Sequence, residues 1–165
     1  MDIRVLDILE ETTVDGPGFR TSIYCAGCLH QCPGCHNPQS WDMKGGKPVS
    51  VEELLAKVLG DRFADVTFTG GDPFYQAEAF GQLAILIKQQ SKKTIWAYTG
   101  FHFENLLTQP ASRQLLEHID VLVDGPFVQS LRDEDLLFRG SSNQRLIDVP
   151  RSMAQGDVVL WERDM

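Results

Sequence analysis

The 165-residue chain has no apolar run that approaches the roughly 18 residues a membrane-spanning helix needs. It also has no basic excess. Fifteen Lys and Arg against 23 Asp and Glu leave a net charge of −8, and an acidic surface repels phosphate backbones, so no nucleic-acid partner is expected. The start, Met1-Asp2-Ile3-Arg4, lacks the basic region, apolar stretch and small-residue cleavage site of a signal peptide, so a cytoplasmic protein is expected. Internal repeats, low-complexity tracts and linker-like stretches are missing too. With 42% hydrophobic and 23% charged residues, the chain is expected to form one domain, 1–165. No Ser–His–Asp pattern stands out, so no side chain is assigned as a general base or nucleophile. Cysteine is scarce outside one place: all four lie between Cys25 and Cys35. In a reducing compartment such a cluster points to metal binding or catalysis, and bridges between such close neighbours would constrain little chain.

What is present alternates. Extended runs at Ile3–Leu9 and Thr21–Tyr24 flank a Gly16-Pro17-Gly18 turn. Ser50 and Glu53 form a capping box before Leu54, Leu55 and Val58, with Gly60 placed to close that helix. A strand over 65–69 runs into Gly70-Gly71-Asp72-Pro73. Residues 76–90 carry Phe80, Leu83, Ala84 and Ile87 on one helical face. Thr94–Tyr98 is a strand ended by Thr99-Gly100, 103–118 is helical but broken near Pro110, and Ile119–Val123 is a strand ended by Asp124-Gly125-Pro126. Leu146–Val149 and Val158–Trp161 are two further short strands, and Arg139–Gln144 is a loop. Strand–helix alternation implies a parallel sheet with right-handed crossovers and ligands at the strands' carboxyl ends. The unusual sequences sit at those ends, so four segments are expected to share one rim. A full eight-unit barrel takes about 250 residues. The expectation is therefore an α/β fold: a partial, open (βα) barrel with a mostly parallel sheet.

The cysteine spacing is Cys25-x2-Cys28-x3-Cys32-x2-Cys35. Three readings compete. Structural zinc would use all four thiolates, but zinc knuckles are usually separated by a longer loop. A ferredoxin-like electron carrier has its gaps in a different order, C-x2-C-x2-C-x3-C. A third arrangement uses only Cys28, Cys32 and Cys35 and leaves one iron of a cubane open, the mark of a catalytic centre. Pro33 and Gly34 supply the tight bend between the last two ligands.

The C-x3-C-x2-C run resembles the radical S-adenosylmethionine superfamily. Asp15-Gly16-Pro17-Gly18-Phe19-Arg20 resembles the glycyl-radical-enzyme activases within it. So do Gly27–Asn37, Thr69–Pro73, Val121–Gly125 and Arg139–Gln144, in the right order. The position before the third cysteine, aromatic in many members, is Gly34 here. The extra Cys25 reads as a small buried residue at a strand end.

The resemblance implies a 4Fe-4S cluster on Cys28, Cys32 and Cys35, with S-adenosylmethionine (SAM) as the second cofactor. It implies that the segment Gly70, Gly71 and Asp72 receives the methionine amino group, on backbone carbonyls or on the Asp72 carboxylate; the alternative is a strand-to-helix turn capped by Asp72. Gly34, Cys35 and His36 lie beside the cofactor by position, His36 as a contact or as a polar wall. Tyr98 and Asp124 either touch the adenosine or pack and form turns, and Arg20 either steers a carboxylate or is a surface charge. His30 and Gln31 read as loop residues, and Trp41, Trp96 and Trp161 as core or interface aromatics. The implied partners are an anaerobic ribonucleoside-triphosphate reductase, through a glycine near its C-terminus, and a small electron donor such as flavodoxin. Activation of another glycyl radical enzyme, such as pyruvate formate-lyase, and simple electron carriage remain as alternatives.

Overall fold

Short runs of β-branched and aromatic residues give the strands, and most are ended by glycine- or proline-bearing turns. The computed structural model describes residues 1–28, 30 and 42–162. In chain order the elements are β1 (Asp2–Thr12), β2 (Arg20–Cys25), β3 (Lys47–Ser50), α1 (Val51–Gly60), β4 (Asp65–Gly70), α2 (Ala77–Gln90) and β5 (Ile95–Tyr98), followed by α3 (Phe103–Leu106), α4 (Pro110–Leu116), β6 (Val121–Asp124), β7 (Arg145–Asp148) and α5 (Val149–Gln155). A 3-10 turn, Pro73–Gln76, leads into α2.

The strands form one open sheet in the order β3-β1-β2-β4-β5-β6-β7. The four central strands β2, β4, β5 and β6 run parallel. β1 and β3 continue the sheet antiparallel on one side, and β7 does so on the other. The chain thus has the expected α/β fold, open and mostly parallel.

Several details depart from the sequence reading. β3 was not anticipated; it is a four-residue edge strand containing Pro48, whose missing N–H an edge tolerates. Val158–Trp161 does not form a strand of its own but makes an isolated bridge, Ile147 to Leu160. The break expected near Pro110 is there: 103–118 forms two short helices, because Pro110 lacks the N–H a helix interior needs and instead starts α4. The capping box holds: Ser50 Oγ accepts a hydrogen bond from the Glu53 amide at 3.1 Å.

Period-two alternation divides the sheet into two faces. Ile23, Cys25, Val66, Phe68, Ile95, Ala97 and Leu122 pack against Leu54, Phe80, Leu83, Ile87, Leu115 and Leu116 of the helices in the main core. On the other face Trp96, Val121 and Val123 gather Tyr98, Phe138, Leu146 and Trp161. Trp96 meets both Phe138 and Trp161 edge to face.

Candidate functional site

Parallel pairing places the last residues of β2, β4, β5 and β6, namely Cys25, Gly70, Tyr98 and Asp124, along one rim of the sheet. The segment bearing the cysteines leaves from the first of these strands. The Gly-Gly-Asp-Pro turn leaves from the second.

These two departures are joined backbone to backbone. The Gly71 amide donates to Cys25 O and the Asp72 amide to Gly27 O, both at 2.8 Å. A Cβ on Gly70, whose φ is +105°, would lie 2.4 Å from the Cys25 nitrogen, and one on Gly71 would lie 2.5 Å from Gly27 O. The two glycines therefore admit the neighbouring strand end.

The Asp72 side chain is fully buried. Its Oδ1 accepts from the Phe74 amide at 3.0 Å, and its Oδ2 accepts from the Gly100 amide at 2.9 Å. The Thr99 hydroxyl lies 3.0 Å from one oxygen and 2.8 Å from the other. His30 Nε2 donates to Oδ2 at 2.7 Å. The His30 ring also meets Phe101 edge to face at 4.5 Å and tilts against Tyr75 at 5.7 Å. The sequence reading left His30 as a loop residue; the structure carries it onto the rim. Behind this contact a groove of about 1090 Å³ opens, bordered by Tyr75, Phe101, Asn105 and Gln109. It lies outside the line of strand ends.

The far end of the cysteine segment is tied down as well. Arg4 Nε donates to Gly45 O at 3.0 Å, and its Nη2 donates to Lys44 O at 2.7 Å and Gly46 O at 3.1 Å. A Cβ on Gly27 would lie 2.6 Å from Met43 Sδ, so the two ends of the segment touch. Gln76, from the 3-10 turn, accepts from the Arg4 amide through Oε1 and donates through Nε2 to Arg4 O and Ala26 O. Neither Arg4 nor Gln76 carried a sequence signal, because both act across long sequence separations.

The other rim residues also have protein partners. The buried Asp124 carboxylate accepts from the Phe103 amide at 2.9 Å and from Arg145 Nε at 3.0 Å and Nη2 at 2.5 Å. These charged hydrogen bonds push the Arg145 guanidinium further up. Tyr98 donates its hydroxyl to Phe138 O at 3.0 Å, and burial raises that phenol well above its usual range. Arg139–Gln144 is a rim element: Asn143 donates to Pro126 O and Gln144 to Gly125 O, both just beyond β6.

On the second face, Asp15 Oδ2 accepts from Ser22 Oγ at 2.9 Å and from the Tyr24 hydroxyl at 2.6 Å. Burial and this bond raise the Tyr24 phenol. Arg20 is neither a surface charge nor a carboxylate guide. It is wholly buried and donates to Thr67 Oγ1, Pro17 O, Val66 O and Thr94. Burial pulls its guanidinium down to about 10, so it stays charged at neutral pH.

Cys25 sits in the main core, fully buried, and burial pushes its thiol up. Its side chain belongs to the apolar core and not to the loop. The three cysteines that follow it in sequence match in number the expected ligand set of a 4Fe-4S cluster with one open iron. Of the expected cluster ligands, Cys28 stands at the rim; Cys32 and Cys35 lie outside the described residues, as do the expected cofactor neighbours Gly34 and His36. Among the described residues, no group of three or more His, Cys, Asp or Glu is placed to hold a metal. Nor is any described helix long and apolar enough to cross a membrane.

Residues 14–147 match the family described as a 4Fe-4S single cluster domain. The chain is 36% identical over 140 residues to the anaerobic ribonucleoside-triphosphate reductase-activating protein of Salmonella typhimurium, covering 79% of this chain and 89% of that one. It is 35% identical over 139 residues to the protein of the same name from Enterobacteria phage T4, covering 81% and 86%. Among solved structures it resembles QueE from Escherichia coli with a TM-score of 0.51 at 18% identity, over 75% of this chain and 70% of that one, a likeness of fold.

Proposed function

Because the chain belongs to the family of anaerobic ribonucleoside-triphosphate reductase-activating proteins, we propose that it installs a glycyl radical near the C-terminus of such a reductase. It is a radical SAM activating enzyme whose cofactors are a 4Fe-4S cluster and SAM. Cys28, Cys32 and Cys35 would hold the cluster, which when bound would supply the one electron for reductive cleavage of SAM and so the means to take a hydrogen atom from the partner's glycine.

The observation that carries this reading is that the start of the cysteine segment and the Gly-Gly-Asp-Pro turn are bonded together on one rim, beside a Cys25 buried in the core. The backbone of Gly70 and Gly71 would receive the methionine end of SAM, with Gly34, Cys35 and His36 beside it. Tyr98 would border the adenosine from the neighbouring strand end. Asp72 and Asp124, whose oxygens meet protein donors, would shape the same pocket from behind. The chain's own work is binding, orientation and exclusion of water; no proton need move on any of its side chains. Its electron donor would be a small reductant such as flavodoxin, and its place the cytoplasm.

The test is anaerobic rebuilding with iron and sulfide, followed by SAM, a strong reductant and a candidate partner. The expected result is 5′-deoxyadenosine, together with a glycyl radical signal on the reductase and none on pyruvate formate-lyase. A complete cluster that yields no deoxyadenosine would overturn the reading in favour of electron carriage.

A further inference from the structure

We propose that His30 and Asp72 form a latch that positions the cluster-bearing loop, with Asp72 acting through His30, Thr99 and Gly100 rather than on SAM itself. This rests on the SAM reading above and concerns which side chains align its two halves.

The first argument is capacity. An ionised carboxylate offers about four acceptor positions and no donor. The Asp72 carboxylate has four donor groups on it: the Phe74 amide, the Thr99 hydroxyl, the Gly100 amide and His30 Nε2. All are within hydrogen-bond distance, and the side chain is shut away from solvent. An incoming ammonium would have to displace one of these donors and leave it buried without a partner, an unfavourable exchange.

The second argument is steric. Gly100 gives up the space that His30 fills: a Cβ there would lie 2.5 Å from His30 Cδ2. The ring is walled by Phe101 and Tyr75. The turn after β5 thus seats this one imidazole through the space left by a glycine and the ring of Phe101. Two residues before it stands Cys28. Through Asp72, the segment that carries the cysteines is fixed to the two strand ends, β4 and β5, that border the SAM pocket.

The third argument is direction. Asp72 Oδ2 can only accept, so His30 Nε2 carries the hydrogen and its Nδ1 faces elsewhere. The contact orients the ring by a charge-assisted bond, among the stronger hydrogen bonds a side chain makes.

Four variants test the latch: His30→Ala, His30→Gln, Asp72→Asn, and His30→Ala combined with Asp72→Asn. In the rebuilt protein, His30→Ala and Asp72→Asn should each lower kcat for deoxyadenosine about tenfold, with KM for SAM moving less than about twofold. The double variant should fall no further than the worse single one, since partners in one contact are not additive. His30→Gln, whose amide can still donate to Asp72, should recover most of the rate. In the apoprotein, His30→Ala should speed hydrogen exchange of the Gly100 amide about tenfold.

A tenfold or greater rise in KM for SAM in Asp72→Asn, with His30→Ala at wild-type values, would mean the carboxylate touches the cofactor and would overturn the latch. Additive losses, or unchanged Gly100 exchange in His30→Ala, would overturn it too. If Asp72→Asn does not fold, the two His30 variants decide the matter. Absence of deoxyadenosine from the rebuilt wild type would sink the SAM reading instead, and the apoprotein exchange would still report on the latch.

Discussion

Gly70 and Cys25 meet backbone to backbone at the ends of β4 and β2, with room for a hydrogen but not a methyl: a Cβ on Gly70 would lie 2.4 Å from the Cys25 nitrogen and 2.7 Å from its oxygen. Gly70→Ala is expected to cost about 3 kcal/mol or more, since the obstacle is backbone and the φ of +105° is strained for any side chain. Urea unfolding of the apoprotein measures it. A loss below about 1 kcal/mol would mean the two strand ends can part freely.

Cys25 itself is expected to be inert. Its buried thiol should resist alkylation at pH 8 in the folded apoprotein and react only in denaturant. Cys25→Ala should keep the cluster and the activity and cost only about 1 kcal/mol of stability. Cys28→Ala, Cys32→Ala or Cys35→Ala should each remove the cluster. Iron and sulfide analysis separates the two outcomes, and cluster loss in Cys25→Ala would bring the four-thiolate readings back.

Arg20→Lys is expected to destabilise the fold by about 2–4 kcal/mol although it keeps the charge. A planar fork reaches Thr67, Pro17, Val66 and Thr94 at once, and lies 5.7 Å from the centre of the Trp96 ring. An ammonium has neither the reach nor the shape. Thermal unfolding followed by tryptophan fluorescence would report both the loss and the disturbance around Trp96.

The acid limb of stability should involve Glu104. Arg145 holds this carboxyl below its usual range by a 2.6 Å hydrogen bond. A depressed carboxylate contributes stability above its unfolded value, about 4.3 for glutamate, and loses it as pH falls through the folded value. Glu104→Gln should therefore flatten the fall in Tm below about pH 4 and leave Tm near neutrality almost unchanged, since the pair is partly exposed. A profile that falls as steeply as the wild type would remove Glu104 from the acid response.

The parallel core was legible because each central strand is a short apolar run with a turn directly after it, and those turns fall at the carboxyl ends by topology alone. The capping box at Ser50 was legible because it is local. What escaped was decided across the chain. Lys47–Ser50 has little strand character, and it becomes β3 only because β1 offers it an edge. Arg20 looked exposed by residue type; only pairing with β4 and the Asp15–Pro17 turn over it shows why it is enclosed. His30 and Asp72 are 42 residues apart, and no periodicity links them. Phe138 takes a left-handed φ of 60° at a place marked by neither glycine nor asparagine, and its ring packs beside Trp96 and Trp161.

Gln76 shows how the chemistry is insulated from the scaffold. β1 begins with Asp2, while β2 stops at Cys25 as the chain turns away towards its thiols. A single primary amide joins the pairing there, giving and receiving as a peptide group would: Gln76 Oε1 accepts from the Arg4 amide, while Arg4 O takes both Gln76 Nε2 and the Ala26 amide. The Ala26 amide gives the departing segment's backbone bond to Arg4 O, and at Gly27 the chain bonds to the Gly-Gly-Asp-Pro turn instead. The departing segment's sequence is thereby released from the grammar of strands and can be written wholly in the language of thiolates, bends and contacts with a partner.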